Sequence, residues 1–256
     1  MSPQSEQQQS TSPVAVITGA LAGIGRATAL AFARAGYRVV VSGRQESAGA
    51  ALVAELEALG SSARFVRTDV RHEAEVQQLF DDSIRHFGQV DVAINNAGFD
   101  GRFVPIAEHD TGSYHAVFDV NVLGVFLSMK HALRVMRAQG SGSIVNLSST
   151  MGVKGAPNAS LYTASKHAVE GMTKAVALEA AAFGIRVNAV APGPVQTEMF
   201  NRITGDAKGK QSFIDGVPMK RIGTPEEIAE MIVFVASGKV PFLTGEIIRV
   251  NGGKTA

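Results

Sequence analysis

The sequence contains no cysteine. That excludes disulfides, thiolate nucleophiles and cysteine-ligated zinc, and it is compatible with a reducing compartment without requiring one. An excess of one charge is also lacking. The formal net charge is +1 over 256 residues, with no basic run, so the electrostatic footprint of a nucleic-acid binder is absent. His72, His86, His109, His115, His131 and His167 show no HExxH or comparable spacing. Surface or capping roles are expected for them, with no catalytic metal. Long apolar runs are missing too. The opening Ser2-Pro3-Gln4-Ser5 has no signal-peptide core after it, and no later stretch approaches the ~18–20 apolar residues of a membrane span. The expectation is a disordered polar tail over residues 1–12 on a cytoplasmic protein with no membrane or nucleic-acid partner.

What the sequence has is alternation. Short β-branched runs lie at Val14–Thr18, Tyr37–Ser42, Ala63–Thr68, Val90–Asn95, Ser143–Leu147, Ile185–Val190 and Glu246–Val250. Helical patterns separate them at Gly23–Ala35, Glu46–Gly60, Glu73–Phe87, Ser113–Gln139, Ser160–Phe183 and Pro225–Ser237. Most of the runs are continuously apolar, as in strands buried on both faces of a parallel sheet. Repeated strand–helix units give right-handed βαβ crossovers. The expected fold class is α/β: a single Rossmann-like doubly wound domain over 13–256, with a seven-stranded, mostly parallel sheet flanked by helices on both faces. Its ligand crevice should lie at the carboxyl ends of the strands. Two long connections, Asp100–Asp110 and Pro192–Thr224, leave such ends, which marks them as lids or binding loops. The substrate loop is placed at about 192–224.

Gly19, Gly23 and Gly25 are spaced GxxxGxG between the first strand and the first helix. Glycine permits the tight turn and a close approach of backbone to a pyrophosphate. The helix start at Ile24 and Gly25 offers free N–H groups and a positive dipole end. The second strand ends at Gly43-Arg44 with no acidic residue at the turn, Glu46 being nearest. A carboxylate there would accept from the 2′-hydroxyl of NAD, whereas the Arg44 guanidinium suits a 2′-phosphate. The bland alternative is a solvated surface arginine. NADP(H) is thus favoured over NAD(H), which stays possible. Asp69-Val70 ends the third strand, where the carboxylate is placed to accept from an adenine amino group. Asn95-Asn96-Ala97-Gly98 ends the fourth, where the asparagines tie strands together and shape the ribose site; for Asn95 a plain turn-forming role competes.

Tyr162 and Lys166 stand one helical turn apart, on one face. A phenol ionises near pH ~10 in isolation. A nearby ammonium and the positive charge of an oxidised nicotinamide both favour phenolate, so Tyr162 is expected to exchange a proton near neutral pH. Ser149 sits just past the fifth strand. Its hydroxyl beside the phenol would hold an oxygen that gains negative charge as hydride reaches a carbonyl carbon.

These motifs resemble the classical short-chain dehydrogenase/reductase family over residues 12–253. The matching segments are Thr18–Gly25, Asp69-Val70, Asn95–Gly98, Asn121, Ser149, Tyr162, Lys166 and Pro192-Gly193-Pro194-Val195-Gln196-Thr197. The resemblance implies a tetrad of Asn121, Ser149, Tyr162 and Lys166. In it Tyr162 is the acid/base, Ser149 polarises the substrate oxygen, and Lys166 binds the nicotinamide ribose and lowers the tyrosine pKa. Asn121 holds a relay water through its backbone, and Thr197 lies near the nicotinamide carboxamide and pyrophosphate. Ala22 departs from NADP-dependent relatives, which often carry a polar or basic residue there, and Asn251 stands where an Asp is more usual.

The implied activity is hydride transfer between nicotinamide and a small, partly hydrophobic ketone, aldehyde or secondary alcohol. Two alternatives are a 3-oxoacyl thioester reductase serving an acyl carrier, with Arg102, Lys154, Lys208 and Lys210 as docking candidates, and a non-catalytic dinucleotide-sensing scaffold. The substrate pocket is assigned to Phe103, Met151, Val153, Met199, Phe200 and Phe213. The small residues of Ser160–Phe183 and the apolar Val117, Val120, Leu127 and Leu133 of Ser113–Gln139 suggest helix pairing between copies. A homotetramer is expected, with a dimer as runner-up.

Overall fold

A computed structural model describes residues 12–256, so the tail expected at 1–12 lies, except for Ser12, outside the described residues. Seven strands form one sheet: β1 (Val14–Thr18), β2 (Arg38–Gly43), β3 (Ala63–Arg67), β4 (Val92–Asn95), β5 (Gly142–Leu147), β6 (Ile185–Pro192) and β7 (Ile247–Val250). Their order is β3-β2-β1-β4-β5-β6-β7. Every pairing is parallel, one step beyond the mostly parallel sheet expected. The chain winds outward from β1 to β3, then crosses back to β4. The switch point therefore falls between β1 and β4, and a crevice opens at their carboxyl ends.

The helices are α1 (Gly23–Arg34), α2 (Glu46–Ala58), α3 (Glu73–Phe87), α4 (Thr111–Gln139), α5 (Ser160–Ala180), α6 (Glu198–Thr204), α7 (Ala207–Asp215) and α8 (Pro225–Ala236). Residues of β1 alternate between two layers. Val14 and Val16 pack with Leu79, Phe80, Val125 and Val169 of α3, α4 and α5. Ala15 and Ile17 pack with Phe32, Leu52, Leu56 and Ile232 of α1, α2 and α8. All five β1 residues are buried, and that two-sided burial is why the strand reads as one apolar run. Each large side chain so buried contributes roughly 1.5–3 kcal/mol.

Three expectations need correction. The 192–224 connection is not irregular, because it holds α6 and α7. Both start on a side-chain cap: Thr197 accepts from the Phe200 N–H and Asp206 from the Gly209 N–H. Second, α4 is long and apolar enough to cross a membrane by length and composition, contrary to the reading that no stretch is. Half of its apolar window is buried inside the protein. Third, the apolar residues assigned to its outer face are misplaced. Val117 and Leu127 are buried, and Val120 and Leu133 are half-buried. The exposed apolar face carries Tyr114, Leu123 and Phe126. A π turn at Asp119–Leu123 interrupts the α-helical spacing between Val117 and Leu127.

Candidate active site

The glycine turn after β1 is fixed to the end of β4. Thr18 Oγ1 accepts from the N–H groups of Asn96 (3.1 Å) and Ala97 (3.2 Å). Asn96 Nδ2 donates back to the carbonyls of Thr18 (3.1 Å) and Gly19 (2.9 Å). Asn95 Nδ2 donates to Asn146 Oδ1 on β5 at 2.7 Å. Gly19 has φ +63, and a Cβ there would lie 2.7 Å from Ala97 Cα. Gly23 has φ +53, with its missing Cβ 3.2 Å from Thr197 Cγ2. The loop after β6 thus faces the glycine turn across the crevice. In that loop, Pro192 ends β6 opposite Val250, the Gly193 N–H donates to the Val250 carbonyl, and Val195 is buried.

Beyond the turn, α1 has no side-chain cap at Ala22 and no acidic residue in its first turn. The N–H groups around Ile24 and Gly25 therefore face the crevice end of the sheet with the positive end of the helix behind them. Backbone donors, glycines too tight for any Cβ and no opposing carboxylate are what a dinucleotide pyrophosphate requires, and the residues fit one.

Arg44 is exposed at the end of β2, and Leu21 fills the space that a Cβ on Gly43 would take. Asp69 is more constrained than its sequence position suggests. Its two carboxylate oxygens accept from Arg71 Nε (2.9 Å) and Nη2 (2.6 Å), which holds its pKa down at about 2. Val70 is buried against the face of Gly124, where a Cβ would sit 2.7 Å from Val70 Cγ2.

At the other end of the crevice, β4, β5, α4 and α5 converge. Lys166 is buried, and its Nζ donates to the Leu147 carbonyl at the end of β5 (2.8 Å). That ammonium lies 5.6 Å from the centre of the Tyr162 ring. A Cβ on Gly98 would lie 3.6 Å from Asn121 Oδ1 and 3.9 Å from Lys166 Nζ, so Gly98 lines the space between them. Asn121 is fully buried in the π turn. Its Nδ2 donates to the Phe99 carbonyl (2.9 Å) and Ser165 Oγ (3.0 Å), and its Oδ1 accepts from the Phe99 N–H (2.7 Å). The side chain is wholly spent on joining the loop after β4 to α4 and α5. Ser149 stands in extended backbone just past β5, and its Oγ accepts from the Met151 N–H at 3.2 Å.

In the protein without dinucleotide, burial acts on Tyr162 against the effect expected of its neighbouring charges. Burial pushes the phenol up to about 12, Ser149 acts the other way, and Asp100 adds to the rise. Sequence reading counted the neighbouring ammonium and the charge of an oxidised nicotinamide and left out desolvation, the largest cause in the protein without dinucleotide. Burial also lowers Lys166, to about 8. Sequence reading included Thr18 in the glycine motif without assigning its hydroxyl a role, and it missed the Leu147 carbonyl and Asp100. Asp100 is buried just past the Asn-Asn-Ala-Gly segment and accepts from Arg202 Nη2 of α6 at 3.4 Å, linking the two long connections. The aromatic residues assigned to the pocket fall into two pairs. Phe103 lies 6.5 Å from the Tyr162 ring, and Phe200 lies 5.4 Å from Phe213, edge to face.

Comparison with known proteins agrees with this geometry. A family model described as enoyl-(acyl carrier protein) reductase matches residues 19–255. A cis-4-hydroxycyclohexanecarboxylate dehydrogenase of Sinomonas cyclohexanicum is 42% identical over 95% of this chain and 96% of its own. A 3-oxoacyl-[acyl-carrier-protein] reductase of Synechocystis sp. is 40% identical over 95% of this chain and 97% of its own. Among solved structures, the gluconate 5-dehydrogenase of Burkholderia cenocepacia in complex with NADP and tartrate superposes with TM-score 0.91 at 32% identity, covering 95% of each chain. An NAD+-bound xylitol dehydrogenase does so with TM-score 0.91 at 34% identity, covering 94% of this chain and 98% of that one.

Proposed function

The chain belongs to the classical short-chain dehydrogenase/reductase family, nicotinamide-dependent oxidoreductases of CH–OH and C=O groups, and from that premise we propose an NADP(H)-preferring carbonyl reductase or alcohol dehydrogenase with Tyr162 as its proton donor. The observation that carries this reading is that Lys166 lies 5.6 Å from the centre of the Tyr162 ring and, with Asn121, beside Gly98, while Ser149 stands at the carboxyl end of β5, whose Leu147 carbonyl Lys166 holds.

The dinucleotide, when bound, supplies or accepts the hydride. The protein does the rest. Gly19, Gly23, Ile24 and Gly25 hold the pyrophosphate, with Thr197 across the turn. Asp69 and Val70 border the adenine, and Asn96, Ala97 and Gly98 the ribose edge. Pro192, Gly193 and Val195 shape the nicotinamide side. Ser149 donates a hydrogen bond to the substrate oxygen, and Tyr162 gives that oxygen its phenolic proton in reduction or takes one in oxidation. Lys166 bonds the nicotinamide ribose as an ammonium, and Asn121 fixes the loop on which Gly98 and Phe99 lie. Residues 13–256 act as one catalytic unit, with 192–224 as the substrate loop. The exposed Tyr114, Leu123 and Phe126 face of α4 supports association with further copies of the chain, for which a homotetramer is our reading.

Oxidation of NADPH and NADH against a panel of small cyclic and open-chain ketones tests the activity, and no turnover with any of them would defeat it. A second reading is favoured by one pair of lysines. Lys154 Nζ donates to the Lys254 carbonyl at 3.4 Å, and Lys254 Nζ lies 5.4 Å from the Phe213 ring. Two cations beside the substrate loop suit an acidic carrier bearing a 3-oxoacyl thioester, so such a thioester belongs in the panel.

NADP preference rests on Arg44 at a turn without an acid. Arg44→Ala should raise the KM for NADPH about 10- to 100-fold, the worth of a charge-assisted hydrogen bond, and leave that for NADH nearly unchanged. Equal losses for both would remove the assignment. Lys166 adds a pH dependence. Its pKa of about 8 in the free protein means the ammonium prevails below that pH and is lost above it. Dinucleotide affinity should therefore fall as pH rises through about 8, and Lys166→Met should flatten that fall. A dissociation constant that is level across this interval would contradict the role.

A further inference from the structure

We propose that Glu170 is a positioning residue, which holds the turn carrying Ser149 at its working place beside Tyr162. The helix α5 presents Tyr162, Lys166 and Glu170 at successive turns of one face. Lys166 and Glu170 each hold one residue of the tripeptide that leaves β5 by a hydrogen bond. Lys166 Nζ donates to the Leu147 carbonyl at 2.8 Å. Glu170 Oε1 accepts from Ser148 Oγ at 2.8 Å. Ser149, next in the tripeptide, acts on the Tyr162 phenol and lowers its pKa against the effect of burial. The helix face thus acts as a template for residues 147–149.

The carboxylate also braces the far end of the turn. Ser149 is followed by a single 3-10 turn, Thr150–Gly152. A Cβ on Gly152 would overlap the Glu170 carboxylate, its Cδ lying 2.6 Å away and Ser148 Oγ 2.5 Å away. Glycine at 152 is what lets the carboxylate slide beneath the turn. Glu170 therefore touches Ser148 on one side of Ser149 and Gly152 on the other.

Glu170 is 4% exposed, and the Ser148 hydroxyl is its hydrogen-bond partner. A buried carboxylate without a paired cation is costly. An apolar side chain would fill the same space without that cost but could not hold the hydroxyl. The gain must lie in the geometry that the hydrogen bond imposes. A catalytic group displaced by about 1 Å can lose 10²-fold in rate, so fixing Ser149 outweighs a modest loss of stability.

The inference rests on the dehydrogenase reading, and the experiment keeps the two apart. Glu170→Ala should lower kcat about 10- to 100-fold, as a misplaced donor does, with cofactor dissociation constants unchanged. Glu170→Gln, which keeps an acceptor for Ser148, should recover most of the rate. Ser148→Ala, which removes only a hydroxyl and serves if Glu170→Ala fails to fold, should lose as much as Glu170→Ala. The decisive comparison is made in a Ser149→Ala background. If Glu170 acts through Ser149, adding Glu170→Ala or Ser148→Ala there should cost nothing further in kcat. A full additional loss in that background, or unchanged kcat in both single variants while Tyr162→Phe is dead, overturns the positioning role and leaves the dehydrogenase reading standing.

Discussion

Tyr162→Phe should lower kcat about 10³-fold, the usual worth of a positioned proton donor, while dinucleotide affinity stays within a factor of about two of the parent, since the lost hydroxyl is directed at the substrate oxygen. The ring remains and keeps its place 6.5 Å from Phe103, so the loss is chemical and should not appear in thermal unfolding. The raised phenol pKa of about 12 sets a further sign. Reduction needs the protonated phenol, which is present across the whole ordinary pH range. Oxidation needs the base form, whose population grows as pH rises toward that value. Alcohol oxidation by the parent protein should therefore climb with pH, and the climb should vanish in Tyr162→Phe. Stopped-flow or steady-state rates in both directions test this, and a variant that keeps its pH-dependent oxidation would show that another group moves the proton.

The strands and most helices were readable because their cause is local. A strand covered on both faces must be apolar throughout, so β1, β2, β5 and β6 announced themselves. The 192–224 connection was not readable by that route. Gly205, Gly209 and Gly216 break its pattern, and α6 and α7 are too short for period to show. The available signal was capping: Thr197 and Asp206 each stand where a helix could start. Val117 and Leu127 were read as outward-facing because apolar character alone does not say which side of a helix the rest of the chain covers, and both are buried. The desolvation of Tyr162 was hidden from the sequence for a different reason. Spacing along a helix shows which charges are near, whereas burial depends on what the rest of the chain packs around them.

The largest effect on cofactor binding is expected from the smallest addition, Gly25→Ala. A Cβ at Gly25 would overlap the Gly19 carbonyl oxygen and Asn96 Nδ2, and would sit 3.0 Å from Ala20 Cα. These are not the free ends of flexible chains that can swing aside. The Gly19 carbonyl and Asn96 Nδ2 are bonded to each other at 2.9 Å, and the same amide holds the Thr18 carbonyl at 3.1 Å. One methyl group therefore has to part the glycine turn from β4 or lift α1 from the sheet. Overpacking of this kind costs about 1–3 kcal/mol in stability, which a chain of this size survives. The crevice does not survive it, because pyrophosphate contact depends on N–H groups placed to within a few tenths of an ångström. A ligand at one hundred times its dissociation constant stabilises the folded state by about 2.7 kcal/mol, so the parent protein should melt several degrees higher in excess NADPH. Gly25→Ala should remain folded and show no such rise. A variant that still gains the full increment would mean that the dinucleotide lies somewhere other than across the turn between β1 and α1.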